Sequence, residues 1–196
     1  LLALLDALDV DDVVLVGHSF GGVLAAHAAL KAPDRVQALI LVDAAVYVEE
    51  TMPAWIMDLP QTRRLGPLFA RWLGRDEGFV RQMYADPDRI SAERMARTQR
   101  HTEVEEWDLA LWEYLRAWGA EPPTVADRIP EIQLPALVVT GDRDTVVPVT
   151  DSERLADALP NADLVVLPAC GHVPQEECPD AFEDAVTSWL ARQELE

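Results

Sequence analysis

The chain has 196 residues, of which 49% are hydrophobic and 26% are charged. This composition is typical of a globular protein, and it excludes a disordered tail, a collagen repeat and a small disulfide-rich scaffold. Asp and Glu outnumber Lys and Arg by 35 to 16, which gives a formal net charge of −19. Because such a charge repels phosphate groups, we expect no binding to nucleic acid or to anionic membranes.

Export and membrane insertion are not predicted either. The longest stretch without a charged residue, Val13–Leu30, contains two His, one Ser and three Gly, so we do not interpret it as a transmembrane helix. The apolar N-terminal residues include Asp6 and Asp9 and lack the basic residues of a signal peptide. Cys170 and Cys178 are too few for a disulfide scaffold, and we predict free thiols in a reducing compartment. The expected location is therefore cytoplasmic.

Apolar runs and helical patterns alternate near both ends of the chain. Val13–Val16 and Ala38–Val42 are apolar runs that suit parallel strands buried on both faces, and Leu134–Thr140 and Ala162–Leu167 are the third and fourth predicted strands. Four helical patterns flank them, at residues 1–8, 23–30, 150–159 and 179–193. This alternation predicts an α/β fold, a parallel sheet with flanking helices.

An insertion at residues 46–128 breaks the alternation, because it has no convincing buried strand. Its apolar residues recur at helical steps of four and three: Trp107, Leu111, Leu115 and Trp118. It also holds five of the six Trp and all four Met, which we expect mostly to fill its own core. We therefore predict an α/β core of residues 1–45 and 129–196, and a separate helical subdomain of residues 46–128.

The strongest chemical signal is Gly17-His18-Ser19-Phe20-Gly21, which matches the pattern G-x-S-x-G between a predicted strand and a predicted helix. In that context a sharp turn exposes the Ser19 hydroxyl, and small residues at Gly17 and Gly21 let the neighbouring chain pass close by. The start of the helix adds backbone N–H groups beside the hydroxyl. The motif indicates a nucleophilic serine; the simpler alternative is a Gly-rich turn in which Ser19 caps the helix.

A serine nucleophile needs a base that takes its proton. His172 follows the fourth predicted strand, so it lies at the same carboxyl edge of the sheet as Ser19, where sites form in parallel α/β proteins. By strand alternation His18 points away from Ser19, His27 lies two turns along the helix, and His101 lies in the insertion. We therefore predict His172 as the base.

The third partner is a carboxylate that holds the imidazole in the correct tautomer. Asp142 and Asp144 follow the third predicted strand, and Asp43 follows the second. All three lie at the same sheet edge, so the residues alone leave the choice open.

The chain order Ser, Asp, His resembles that of the α/β-hydrolase family, and the resemblance runs along all 196 residues. In that family the acid lies in a G-x-x-D-x-x-V-P turn, which corresponds here to Gly141, Asp144, Val147 and Pro148. The resemblance thus selects Asp144, with Asp43 as the alternative acid and Asp142 as a turn residue. It also implies that residues 46–128 form a cap over the pocket.

The resemblance implies a serine hydrolase that cleaves carboxylic esters through an acyl-enzyme, with the backbone N–H of Phe20 in the oxyanion hole. The expected substrate is a small molecule with an apolar part. A carbon–carbon hydrolase acting on ring-cleavage products and a non-catalytic ligand-binding homologue are the alternatives. A serine nucleophile argues against the dehalogenase and epoxide-hydrolase branches, and the absence of cofactor and metal motifs predicts neither group.

Family members have four further strands before the first one seen here, and an early loop that gives a second oxyanion donor. We therefore expect this chain to be part of a longer protein. In isolation its first strand is expected to have an unpaired edge, which favours aggregation.

Overall fold

A computed structural model describes residues 1–47, 54–120 and 125–193 of the chain. Contacts divide the chain into two compact units. Unit 1 comprises Leu1–Tyr47, Met83–Ala85 and Thr124–Glu196, and unit 2 comprises Val48–Gln82 and Asp86–Pro123.

Unit 1 is built on a four-stranded sheet. The strands are β1 (Val13–His18), β2 (Val36–Val42), β3 (Ala136–Gly141) and β4 (Ala162–Leu167). They are parallel and adjacent in the order β1-β2-β3-β4, which confirms the predicted fold class. The two central strands, β2 and β3, are buried almost throughout, as expected for strands covered on both faces. For β1 the prediction of burial on both faces is wrong, because this strand lies at the edge of the sheet and most of its residues are partly exposed.

Ten α-helices accompany the sheet within the described ranges. In chain order they are α1 (Leu2–Leu8), α2 (Phe20–Lys31), α3 (Ala54–Met57), α4 (Pro60–Leu73), α5 (Glu77–Gln82), α6 (Ala92–Thr98), α7 (Trp107–Ala120), α8 (Val149–Ala158), α9 (Pro174–Glu177) and α10 (Pro179–Leu190). Short 3-10 turns lie at Pro33–Arg35, Pro87–Arg89, Gln99–Glu103 and Ala126–Glu131. The four helical patterns read from the sequence correspond to α1, α2, α8 and α10, with ends that differ by up to three residues.

The core of unit 1 lies between the sheet and its helices. Ile40, Leu137 and Trp189 are almost fully buried together, so β2, β3 and α10 share one apolar cluster. The buried face of α2 consists largely of alanines, which let the helix approach β1 and β2 closely. At the sheet edge formed by β1, the side chain of Val16 is 63% exposed.

Unit 2 has a small apolar core of its own. Met57, Ala70 and Trp112 are buried there, and through these residues the helices α3, α4 and α7 pack on one another. The described residues 54–82 and 86–120 form helices and turns without a strand. The prediction that Trp side chains fill this core holds for Trp112, whereas Trp55 and Trp72 are 66% and 63% exposed.

Cys170 and Cys178 form a disulfide, with their Cα atoms 6.1 Å apart, so the prediction of free thiols is wrong. Cys170 follows β4, and Cys178 is the residue directly before α10. The short loop between them folds back on itself and brings the two sulfurs together. The number of cysteines in a sequence does not show whether a loop folds back in this way. The cytoplasmic location, which relied on free thiols, stays a prediction. In the described ranges, every helix is too short or too polar to cross a membrane.

Candidate active site

The turn between β1 and α2 holds Ser19 in an unusual backbone conformation, with φ 53° and ψ −119°. Residues with side chains rarely adopt a positive φ, and such strain concentrates at functional sites. The Ser19 N–H donates to the Val42 carbonyl over 2.9 Å, and the Ser19 carbonyl accepts from the N–H of Gly22 and of Ala45. These bonds hold the turn in place. In the described chain the Ser19 side chain makes no capping hydrogen bond, which argues against the helix-cap alternative.

Two close approaches of the backbone keep this turn compact. A Cβ atom added at Gly17 would lie 2.4 Å from the Gly21 carbonyl oxygen, so the prediction of a required small residue is confirmed at Gly17. At Gly21 the prediction is wrong, because an added Cβ has no neighbouring atom of the described chain within 4 Å. The second tight position is Gly22, where a Cβ would lie 2.4 Å from the Cβ of Ala44.

His172 and Asp144 are brought together at the carboxyl edge of the sheet. His172 Nδ1–H donates to Asp144 Oδ2 over 2.7 Å, and both side chains are buried. The other carboxylate oxygen of Asp144 accepts from the N–H of Val146 (2.7 Å) and Val147 (2.9 Å). Because a carboxylate only accepts, the imidazole is fixed as the Nδ1–H tautomer and its Nε2 carries the lone pair.

Burial alone raises the pKa of Asp144, but the hydrogen bond from His172 and those from the Val147 and Val146 amides outweigh it. The net effect is a pKa below the usual range for an aspartate. Asp144 is therefore ionised at neutral pH, as a partner for an imidazolium must be.

The two alternative acids have other partners. Asp43 Oδ1 accepts from the Thr140 hydroxyl over 2.8 Å and from the Gly141 N–H over 3.2 Å. Burial, together with the neighbouring Asp144 carboxylate, raises the pKa of Asp43 from 3.8 to about 8. Asp142 Oδ1 accepts from the Ala169 N–H over 2.6 Å, so Asp142 is a turn residue.

His18 is a site residue that sequence reasoning missed. Its Nε2–H donates to the His172 carbonyl over 2.6 Å, and the two rings lie 4.8 Å apart. Burial lowers the pKa of His18, which keeps the ring neutral at pH 7. From the sequence, strand alternation predicted only that His18 points away from Ser19. Its place at the end of β1, opposite Val42 of β2, was the available signal.

The remaining histidines belong to other elements. His27 is exposed on α2, and His101 belongs to unit 2, where its ring packs edge-on against Trp107. Phe20, the predicted oxyanion donor, is the first residue of α2, so its backbone N–H lies at the helix N-terminus.

Three residues that can bind a metal meet at this edge: ligand atoms of His18, Asp43 and His172 lie within 4.8 Å of one another. Ligands about 2.0–2.2 Å from a tetrahedral zinc ion are only about 3.5 Å apart, so this spread is wide for a metal. His18 Nε2 and His172 Nδ1 are also already engaged with protein oxygens. The arrangement fits a hydrogen-bonded acid–base site better than a metal centre.

A strained serine between a parallel strand and a helix, together with a His–Asp pair at the same sheet edge, is typical of the class of α/β hydrolases. The chain belongs to this family: the model of the alpha/beta hydrolase fold matches residues 1–179.

Individual relatives agree with the family assignment. The uncharacterized hydrolase YugF of Bacillus subtilis is 27% identical over 194 residues, covering 96% of this chain and 69% of YugF. The 2-hydroxymuconate semialdehyde hydrolase of Pseudomonas putida is 32% identical over 202 residues, covering 97% of this chain and 66% of that enzyme.

Solved structures share the fold. A meta-cleavage product hydrolase from Pseudomonas fluorescens IP01 superimposes with a TM-score of 0.75 at 23% identity, covering 97% of this chain and 68% of that one. Est816, described as an N-acyl homoserine lactone degrading enzyme, superimposes with a TM-score of 0.70 at 28% identity, covering 95% and 71%.

Proposed function

We propose that this chain is a serine hydrolase that cleaves carboxylic esters, with Ser19 as nucleophile, His172 as base and Asp144 as the orienting acid. The observation that carries the proposal is the buried 2.7 Å hydrogen bond from His172 Nδ1–H to Asp144. It leaves Nε2 as the proton acceptor, and it belongs to the same sheet edge as the strained turn at Ser19.

In the proposed reaction, Ser19 Oγ attacks the ester carbonyl carbon while its proton moves to His172 Nε2. The ionised Asp144 stabilises the resulting imidazolium, and the Phe20 N–H donates to the oxyanion. Collapse of the tetrahedral intermediate breaks the bond to the leaving oxygen, which takes the proton from Nε2. Water then attacks the acyl-enzyme and gives its proton to Nε2. The bond from the acyl carbon to Ser19 Oγ breaks, Oγ takes that proton back from Nε2, and the carboxylic acid is released.

The proposed substrate is a small ester or lactone with an apolar part. The likeness to Est816, described as an N-acyl homoserine lactone degrading enzyme, supports an ester-type bond, because a lactone is a cyclic ester. We further propose that the helical insertion acts as a cap that gives the pocket apolar walls. The strongly acidic composition disfavours polyanionic substrates.

A carbon–carbon hydrolase acting on ring-cleavage products is the second candidate. It is favoured by the names of several relatives, among them the 2-hydroxymuconate semialdehyde hydrolase at 32% identity and a 2-hydroxy-6-oxo-6-phenylhexa-2,4-dienoate hydrolase of Burkholderia cepacia at 30%. In this reaction too, the bond broken is next to a carbonyl carbon. The two candidates therefore share the site and differ in substrate.

The test is hydrolysis of short p-nitrophenyl esters, N-acyl homoserine lactones and 2-hydroxymuconate semialdehyde by the full gene product. Ser19→Ala and His172→Ala are each expected to lower kcat by several orders of magnitude, because such residues act as a unit. Asp144→Asn is expected to be severe and Asp142→Asn close to wild type. A phosphonate probe should label Ser19 and should fail to label the His172→Ala variant. Full hydrolysis by Ser19→Ala would refute the proposal.

A further inference from the structure

The chain of the helical insertion returns to unit 1 at a single short segment, Met83–Ala85. There the His172 N–H donates to the Met83 carbonyl over 2.7 Å. The fit is close on the neighbouring residue as well, since a Cβ added at Gly171 would lie 2.6 Å from both the Ala85 nitrogen and the Met83 oxygen. The backbone of the predicted base is thus packed directly on the 83–85 segment.

Glu177 connects the 83–85 segment to the loop that carries His172. Its Oε2 accepts from the Gly171 N–H over 2.7 Å and from the Ala85 N–H over 3.0 Å. The residue is only 5% exposed. A buried carboxylate is costly unless hydrogen bonds replace its water, and bonds from two amides to a charged oxygen are stronger than neutral ones. One side chain therefore fixes the peptide next to His172 to the 83–85 segment.

Neighbouring contacts strengthen the same connection. The Tyr84 hydroxyl donates to Glu176 Oε2 over 2.7 Å, and Tyr84 is itself buried. The disulfide from Cys170 to Cys178 closes the loop that carries Gly171, His172 and Glu177. The disulfide closes the loop at its two ends, and the hydrogen bond between Gly171 and Glu177 lies directly beside it.

We propose that Glu177 is a positioning residue, which holds the His172 backbone against the 83–85 segment and so sets where the imidazole stands. This inference rests on the proposed function, in which His172 is the base. A catalytic group must be held close to its working position, and a displacement of about 1 Å can lower the rate about 100-fold. By this route the backbone of the 83–85 segment, which belongs to unit 1, contributes to catalysis.

The experiment compares Glu177→Ala, Glu177→Asp and Glu177→Gln in the full gene product. Alanine removes the acceptor, aspartate withdraws it by one methylene, and glutamine keeps an acceptor oxygen at the same reach. We expect kcat to fall about 10- to 100-fold in the alanine variant, less in the aspartate variant and within about threefold in the glutamine variant, with KM little changed. Glu183→Ala, which removes an exposed acidic side chain on α10, is the matched control.

A second readout does not depend on turnover. The Nδ1–H proton between His172 and Asp144 should give a far-downfield proton NMR signal, assigned by its loss in Asp144→Asn. The His172 amide should also be protected from hydrogen exchange by its bond to Met83. In Glu177→Ala we expect the signal to shift or broaden and the protection to fall, while Glu177→Gln restores both.

The inference is overturned if kcat, the downfield signal and His172 amide protection in folded Glu177→Ala all match wild type. It is overturned equally if glutamine is as impaired as alanine. Should alanine fail to fold, the aspartate variant decides by the same criteria. Failure of the proposed function looks different: Ser19→Ala would then keep its activity, whereas the NMR and exchange results would still report on Glu177.

Discussion

Loss of the disulfide between Cys170 and Cys178 should destabilise the protein measurably, although the loop that it closes is short. The two residues are 8 apart in sequence. Loop-closure entropy for such a loop amounts to about 2.5 kcal/mol at 25 °C. For a chain of this size that free energy corresponds to a fall in Tm of roughly 5–10 °C. We expect Cys170→Ala with Cys178→Ala, or reduction of the wild type, to produce a loss of this order.

The assay is urea unfolding of the wild type with and without a phosphine reductant. Reduction should lower the midpoint and should have no effect on the double alanine variant, which is the control. The same treatment should slow ester hydrolysis, because the loop carries His172. Two free thiols in the denatured, unreduced protein would refute the reasoning, as would a verified disulfide whose reduction changes the free energy of unfolding by less than about 0.5 kcal/mol.

Two further predictions concern Asp43 and the turn at Ser19. The folded-state pKa of Asp43 is raised from 3.8 to about 8, so its stabilising contribution is full below about pH 4 and is lost as the pH rises through 8. In urea titrations the wild type should lose a few kcal/mol over that range, at about 1.4 kcal/mol per pKa unit, whereas Asp43→Asn should lack this dependence; identical pH profiles would contradict it. Gly17→Ala should cost about 1–3 kcal/mol and reduce phosphonate labelling of Ser19, because its Cβ meets backbone at 2.4 Å. Gly21→Ala, whose Cβ meets open space, is the control, and equal effects of the two would contradict the steric argument.

The sheet could be predicted because its two central strands, β2 and β3, are buried. Runs such as Ala38–Val42 contain only apolar side chains, since both faces of β2 are covered. Parallel strands place their carboxyl ends at one edge, so the positions of Ser19, Asp144 and His172 after strands indicated a common site. The choice between Asp144 and Asp43 could not be made in this way, because both follow a strand at that edge. It required the family pattern.

Other features depend on how loops fold back onto the rest of the chain, which local sequence patterns do not encode. The alternation of β1 gave the direction of His18 relative to Ser19, but not its contact with the carbonyl of His172. Likewise the spacing within G-x-S-x-G pointed to Gly21, while the close packing is at Gly22 against Ala44, a residue that follows another strand. The disulfide was missed for the same reason.

The 83–85 segment shows most clearly where sequence reasoning ends. Its contact with His172 is made by a backbone carbonyl, which any residue at position 83 provides, so no side chain signals it. The sequence shows that residue 177 is acidic, but an acidic residue near a helix start is usually explained by the helix dipole. Its type and position therefore do not indicate a contact with the 83–85 segment. Its burial against two amides is what distinguishes it. The composition shift that predicts an insertion at residues 46–128 gives no sign that three residues inside it, Met83–Ala85, belong to unit 1 and contact the backbone at His172.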